Sequence, residues 1–253
     1  MSIVFYKITI KYLLCLHIAR RSRHTSLMTE RLHQRHLFTY QRQQGRLALA
    51  LVGMSNVGKS LWAGRLAESG FTVYGCDDEI ERRLTPELQA AGYTGGLADV
   101  ARWMGQPYDP QFAATQAHYL ALEGESLTRA LEQTSEGNHV IDTTGSVIHL
   151  GTELLKTLRV QTTVVHLAAN ADMQAEMYQQ YLAHPKPVVW GDSYQPLDGE
   201  LPEAALKRLY PALLARRNRS YRQLAHATIT REQLLRMDST ETFLDAIEQS
   251  LSN

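Results

Sequence analysis

Apolar residues in this chain gather into short uninterrupted runs, and between the runs they recur at intervals of three and four. Leu47 to Val52, Phe71 to Tyr74, His139 to Ile141, Thr163 to Leu167 and Ala227 to Thr230 are each a few residues long and largely apolar. Runs this short fit strands buried on both faces of a parallel sheet. The intervening segments carry helical periodicity: Leu61 to Glu68 ended by Gly70, Gln111 to Gln133, a stretch containing Glu153 to Thr157, Ala171 to Leu182, Glu203 to Leu224, and Thr240 to Leu251. Pro211 is then a kink or a restart within its helix. Thr85 to Pro110 holds three prolines and four glycines, which predicts loop with a short helix near Leu97 to Met104. Strands alternating with helices imply an α/β fold of three layers, a parallel central sheet with helices on both faces.

Composition narrows this to one core. The chain has 253 residues, 44% of them hydrophobic, with equal numbers of basic and acidic residues. Nothing in the net charge points to nucleic acid or a membrane surface. Cys15 and Cys76 make neither a disulfide framework nor a spaced metal set, and a reducing compartment, the cytoplasm, is the default. The expected organisation is a domain over residues 46–253 preceded by a tail over 1–45. That tail is basic: up to Gln44, Glu30 alone opposes Lys7, Lys11, Arg20, Arg21, Arg23, Arg31, Arg35 and Arg42. It reads as disordered, as an organelle transit segment, or as sequence upstream of a true start at Met28. Its apolar runs fall short of the roughly 18 residues of a membrane helix.

The chemistry is concentrated first at Gly53-Met54-Ser55-Asn56-Val57-Gly58-Lys59-Ser60, which fits G-x-x-x-x-G-K-[ST] between a buried strand and a helix. Glycines let the backbone wrap an oligophosphate while successive N–H groups and the helix N-terminus supply positive potential. Gly53, Ser55, Asn56, Val57, Gly58, Lys59, Ser60 and Leu61 are the candidate nucleotide-binding residues, with Lys59 on the terminal phosphates and the Ser60 hydroxyl on Mg²⁺.

Three other places carry candidates. Asp77 and the acids after it stand where strand becomes helix, at the ligand-binding edge of open α/β sheets, though a helix start also favours acids. Asp142 ends an apolar strand and is a second metal candidate or a loop cap. His184-Pro185-Lys186-Pro187, within residues 183–200, has the makings of a lid, or of an exposed connector. Arg216, Arg217, Arg219 and Arg222 hold an anion or make a solvated face; Glu123 and Glu125 read most simply as solvated, and His166 as a buried, hydrogen-bonded core histidine.

From Leu47 to the C-terminus this order of features resembles the shikimate kinase family of P-loop small-molecule kinases. The resemblance rests on Gly53 to Ser60, Asp77 with Ile80-Glu81, Thr144-Gly145-Ser146-Val147, Lys186-Pro187-Val188-Val189, and Arg217 with Tyr221. It implies a P-loop NTPase fold of the nucleoside-monophosphate and shikimate kinase type, with ATP and Mg²⁺ as donor and cofactor. It further implies Asp77 as the base on the acceptor hydroxyl, Arg217 on the acceptor carboxylate, Gly145 at a close backbone approach, and Lys186 closing over the phosphates. The chain departs from the pattern at Gly75, where the family has a second aspartate, and at Leu120 and Tyr119, nearest the places of an arginine and a phenylalanine. Asp142 is then the residue to take over metal work from position 75.

The leading expectation is an ATP-dependent kinase acting on a small hydroxylated acceptor, shikimate first. The alternatives are a non-catalytic nucleotide-binding module on a kinase fold, and a GTPase-like switch. The latter is favoured by Asp142-Thr143-Thr144-Gly145 as D-x-x-G and opposed by the absence of an N-K-x-D sequence.

Overall fold

A computed structural model describes residues 29–133, 136–183 and 186–252, with the side chain of Leu182 left aside. Of the tail expected over residues 1–45, residues 1–28, with the alternative start at Met28, lie outside the described residues.

Five strands form one parallel sheet in the order β2-β3-β1-β4-β5. They are β1 (Ala48–Val52), β2 (Thr72–Gly75), β3 (His139–Asp142), β4 (Thr163–Leu167) and β5 (Ala227–Ile229). β1 and β4 are buried at every residue, as their unbroken apolar sequences require. The long helices are α1 (29–43), α2 (Lys59–Glu68), α3 (Cys76–Ala90), α4 (Leu97–Met104), α5 (Phe112–Glu132), α6 (Thr152–Gln161), α7 (Ala171–Ala183) and α8 (Pro202–Leu224). A short α9 (Arg231–Leu234) and α10 (Thr240–Ser250) complete the described chain. The sheet with its flanking helices is the three-layer P-loop arrangement that the pattern predicts.

β1 lies between β3 and β4, so the chain leaves β1 toward one side of the sheet and later returns to its other side. The crevice at such a switch point is where open α/β sheets bind ligands. The loop after β1 opens into it, flanked by the ends of β2 and β3. In-register pairing sets Gly75 beside Asp142, and Asp142 beside Leu51.

One element differs from expectation. α3 continues to Ala90 with Pro86 inside it, where loop was expected from Thr85; the buried stripe Ile80, Leu84 and Leu88 carries the helix past the proline. α8, expected as one helix with Pro211 inside it, runs from Pro202 to Leu224, its buried side marked by Leu206, Tyr210, Leu213, Arg217, Tyr221 and Leu224. α1 precedes residue 46 and packs on the same core. Phe38 of α1 is fully buried in the main core. Arg42 meets Asp245 at 2.8 Å, Glu248 at 3.3 Å and Glu241, while the Thr39 hydroxyl donates to Glu248 at 2.6 Å. The basic character of this stretch thus serves, at Arg42, an acidic face of α10.

Candidate active site

The phosphate loop owes its shape to residues that tolerate left-handed backbone. Gly53 (φ 148), Asn56 (φ 63) and Gly58 (φ 103) turn the chain between β1 and α2, and Gly58 is the residue before the first turn of that helix. A Cβ at Gly53 would stand 2.6 Å from the carbonyl oxygen of Leu167, so this glycine serves close packing on β4 as much as backbone freedom. Val57 is buried and faces the core. Gly53 and Val57 therefore stand behind the site. Ser55, Asn56, Gly58, Lys59, Ser60 and Leu61 line a cavity of about 790 Å³.

Lys59 is buried, and its ammonium donates to the carbonyls of Gly53 at 3.1 Å and Met54 at 3.0 Å. Burial lowers its pKa; the charges of Asp142 and Asp77 work in the opposite direction. The Ser60 hydroxyl stands near the Asp142 carboxylate, whose Oδ1 is buried without a hydrogen-bond partner. An orphaned carboxylate oxygen beside a hydroxyl at the start of α2 fits a hard divalent cation. Among the described residues no cluster of three or more histidine, cysteine or acidic side chains could hold a metal by itself. An Mg²⁺ ion here would draw its remaining oxygens from phosphate and water. Gly75 has no side chain to offer, and a Cβ there would come within 2.8 Å of Asp78 Oδ2. The carboxylates of Asp142 and Asp78 thus surround the place where position 75 contributes nothing.

The opposite wall is assembled from distant segments. Asp77, in the first turn of α3, lines the same cavity and receives the Tyr119 hydroxyl at 3.3 Å. Burial raises its pKa first; the Lys59 charge lowers it, Asp142 raises it, and the Tyr119 bond lowers it again. One turn further along α5, Glu123 is buried rather than solvated. Its carboxylate receives the hydroxyls of Thr144 and, at 2.6 Å, Ser146, on either side of Gly145. Burial pushes Glu123 up to about 7, with the two hydroxyl bonds opposing and the Asp77 charge adding. Glu125 faces outward and pairs with Arg83.

Gly145 meets α8. Its carbonyl accepts the buried Tyr221 hydroxyl, and a Cβ on it would lie 3.8 Å from Arg217 Nη1. Arg217 is itself buried, donating to the Val189 carbonyl at 2.5 Å and keeping an unpartnered Nε. Arg216, Arg219 and Arg222 are exposed, so α8 puts Arg217, of these four arginines, into the site. His166 is buried against Tyr221, its pKa lowered by burial to about 4, but its Nδ1 has no partner, in contrast to the expected hydrogen-bonded histidine.

The segment expected as a lid divides in two. Lys186, Pro187 and Val188 face the cavity, and Lys186 Nζ donates to Asn56 Oδ1 at 2.6 Å. Beyond them the chain is tied down: Gln116 Oε1 accepts from the N–H groups of Trp190 at 2.7 Å and Gly191 at 2.9 Å, and Trp190 is fully buried beside Tyr194 and Tyr210. Residues 184 and 185 lie outside the described residues. A second cavity, of about 460 Å³ between α1 and α10, holds none of these groups.

Sequence reasoning missed Tyr181, Gln180 and Met177 on α7 and Tyr210 on α8, all at the cavity, and the burial of Glu123. For Glu123 a signal existed: Tyr119, Leu122, Ser126, Leu127 and Ala130 mark the buried stripe of α5, and position 123 falls on it.

No family model matches the chain, and no curated protein does. Solved structures do. The shikimate kinase of Acinetobacter baumannii in complex with shikimate is 22% identical, with 82% of this chain and 94% of that chain covered at a TM-score of 0.50. The shikimate kinase of Bacteroides thetaiotaomicron is 14% identical, with 82% and 99% covered at 0.51. The chain is similar to these in fold, and at that identity the likeness speaks to fold.

Proposed function

We propose that this chain is a phosphotransferase that moves the γ-phosphoryl group of ATP to a hydroxyl of a small-molecule acceptor, with shikimate the leading candidate. The observation that carries the reading is that one cavity is lined by the loop lysine Lys59 and the lid lysine Lys186 together with Asp77, Gly145 and Arg217. A donor phosphate and an acceptor hydroxyl held in one enclosed space is what direct transfer requires.

In this reading the loop N–H groups, Lys59 and Lys186 bind and orient the phosphates. Asp77 accepts the proton of the acceptor hydroxyl as its oxygen forms the new bond to phosphorus, and the bond to the ADP oxygen breaks. Burial raises the Asp77 pKa, which strengthens it as a base near neutrality. The Tyr119 hydroxyl holds that carboxylate in place, and Arg217 with the Gly145 turn receives the acceptor's anionic group. Mg²⁺, when bound at Ser60 and Asp142, supplies charge neutralisation on the phosphate oxygens.

The test is Mg²⁺-dependent transfer from ATP to shikimate and to a panel of other small hydroxylated acids, run beside Lys59→Ala and Asp77→Asn. Transfer to one acceptor, lost by a hundredfold or more in both variants while Asp77→Asn still binds ATP, is the expected result. ATP binding without transfer to any acceptor would leave a nucleotide-binding module and end the catalytic reading. Undiminished turnover by Asp77→Asn would remove its role as base.

A further inference from the structure

We propose that Asn56 is a positioning residue that ties the lid lysine to the phosphate loop and so fixes where that cation stands in the cavity. The inference rests on the phosphotransfer reading. Among the described residues Asn56 is the one non-glycine residue with positive φ, at 63°. Glycine takes that conformation freely, whereas a residue with a Cβ holds it at a cost, and asparagine is the side chain that tolerates it best. Such strain points to a use for the side chain.

The use is visible at both ends of the amide. Oδ1 accepts from Lys186 Nζ at 2.6 Å, and Nδ2 donates to Gln180 Oε1, also at 2.6 Å. Gln180 belongs to α7 and Lys186 follows it in the chain, so one loop residue grips the approach to the lid on two sides. All three line the same cavity. Lys59 sits buried below them, and the two lysines oppose each other electrostatically. A neutral amide oxygen can hold Lys186 near Lys59 without cancelling its charge, which a carboxylate at position 56 would do. Glycine there would leave the lysine its full rotamer freedom.

Affinities of the whole chain for Mg²⁺-ATP and Mg²⁺-ADP, measured by titration calorimetry, test this with Asn56→Gly, Lys186→Ala and the double variant. Asn56→Gly keeps the left-handed backbone, so the loop retains its shape. Each single variant should weaken ATP binding about five- to tenfold, as for loss of one ordinary hydrogen bond. ADP, without the terminal phosphate, should change less than about twofold, and the double variant should be no weaker than Lys186→Ala. Asn56→Asp, which pairs with Lys186 but adds negative charge, should weaken ATP more than Asn56→Gly. Equal losses for ATP and ADP, multiplying losses in the double variant, or an Asn56→Gly protein indistinguishable from the unaltered one would each overturn the inference alone. An unaltered protein that binds neither nucleotide would overturn the phosphotransfer reading and this inference with it.

Discussion

The lining of the cavity is built by two opposite means. One continuous segment, between Met54 and Leu61, supplies the loop after β1. Asp77, Tyr119, Gly145 and Arg217, with Glu123 behind them, arrive instead from α3, α5, the loop after β3, and α8. The first is shaped by left-handed backbone and by close packing at Gly53. The second is positioned by side chains leaning on one another.

Two glycines give the sharpest contrast. Gly53→Ala puts a Cβ on a left-handed backbone 2.6 Å from a main-chain oxygen, and should cost on the order of 2–4 kcal/mol in thermal or denaturant unfolding. Gly145→Ala meets nothing nearer than 3.7 Å and has no positive φ. It should unfold within about 0.5 kcal/mol of the unaltered protein, while raising KM, since the added methyl meets Ser55 of the loop and Arg217. Similar unfolding midpoints for the two variants would break the contrast.

Glu123 sharpens it next. Glu123→Ala removes the acceptor shared by the Thr144 and Ser146 hydroxyls and should cost about 1–3 kcal/mol of stability. Its ionisation sets a pH window as well. The folded carboxyl titrates near 7 against an ordinary 4.5, so the folded chain keeps a proton that the unfolded chain has released. That contribution to stability is full below pH 4.5 and is lost as pH rises through 7. Glu123→Gln cannot titrate, so its stability relative to the unaltered protein should climb across that window and then level off. A difference that is flat from pH 4.5 to 7.5 would mean that Glu123 is ionised in the fold throughout.

The smallest effect is expected at Tyr119. Its hydroxyl bond lowers the Asp77 pKa, so Tyr119→Phe should move the acidic limb of the kcat/KM profile to higher pH. A rate loss under about tenfold at the optimum should accompany it. An unmoved limb would separate Asp77 from the titration that governs turnover.

This division also explains what the sequence made legible. The sheet, its strands and the donor loop are local patterns, and each was readable because neighbours in the chain are neighbours in the site. The charge of Glu123 points to solvent, while its period on α5 places it with the buried stripe. That Arg217 alone among the four arginines of its cluster enters the site follows from the same geometry on α8. Asn56 reaching Lys186 and Gln180, across 130 and 124 residues, has no local signature. Nor does the pairing of Gly75 with Asp142, which shows only when β2 and β3 lie side by side. Pro86 suggests a break because its local cost is plain, while the tertiary packing that outweighs it is not.

α1 carries a consequence for the order of events during synthesis. Arg42 and Thr39 bond to carboxylates 199 to 209 residues further along the chain. At a translation rate of about 5–20 residues per second, those partners emerge roughly 10–40 seconds later. The polar side of this early helix must therefore wait for α10, and the N-terminal helix is fastened by nearly the last element made.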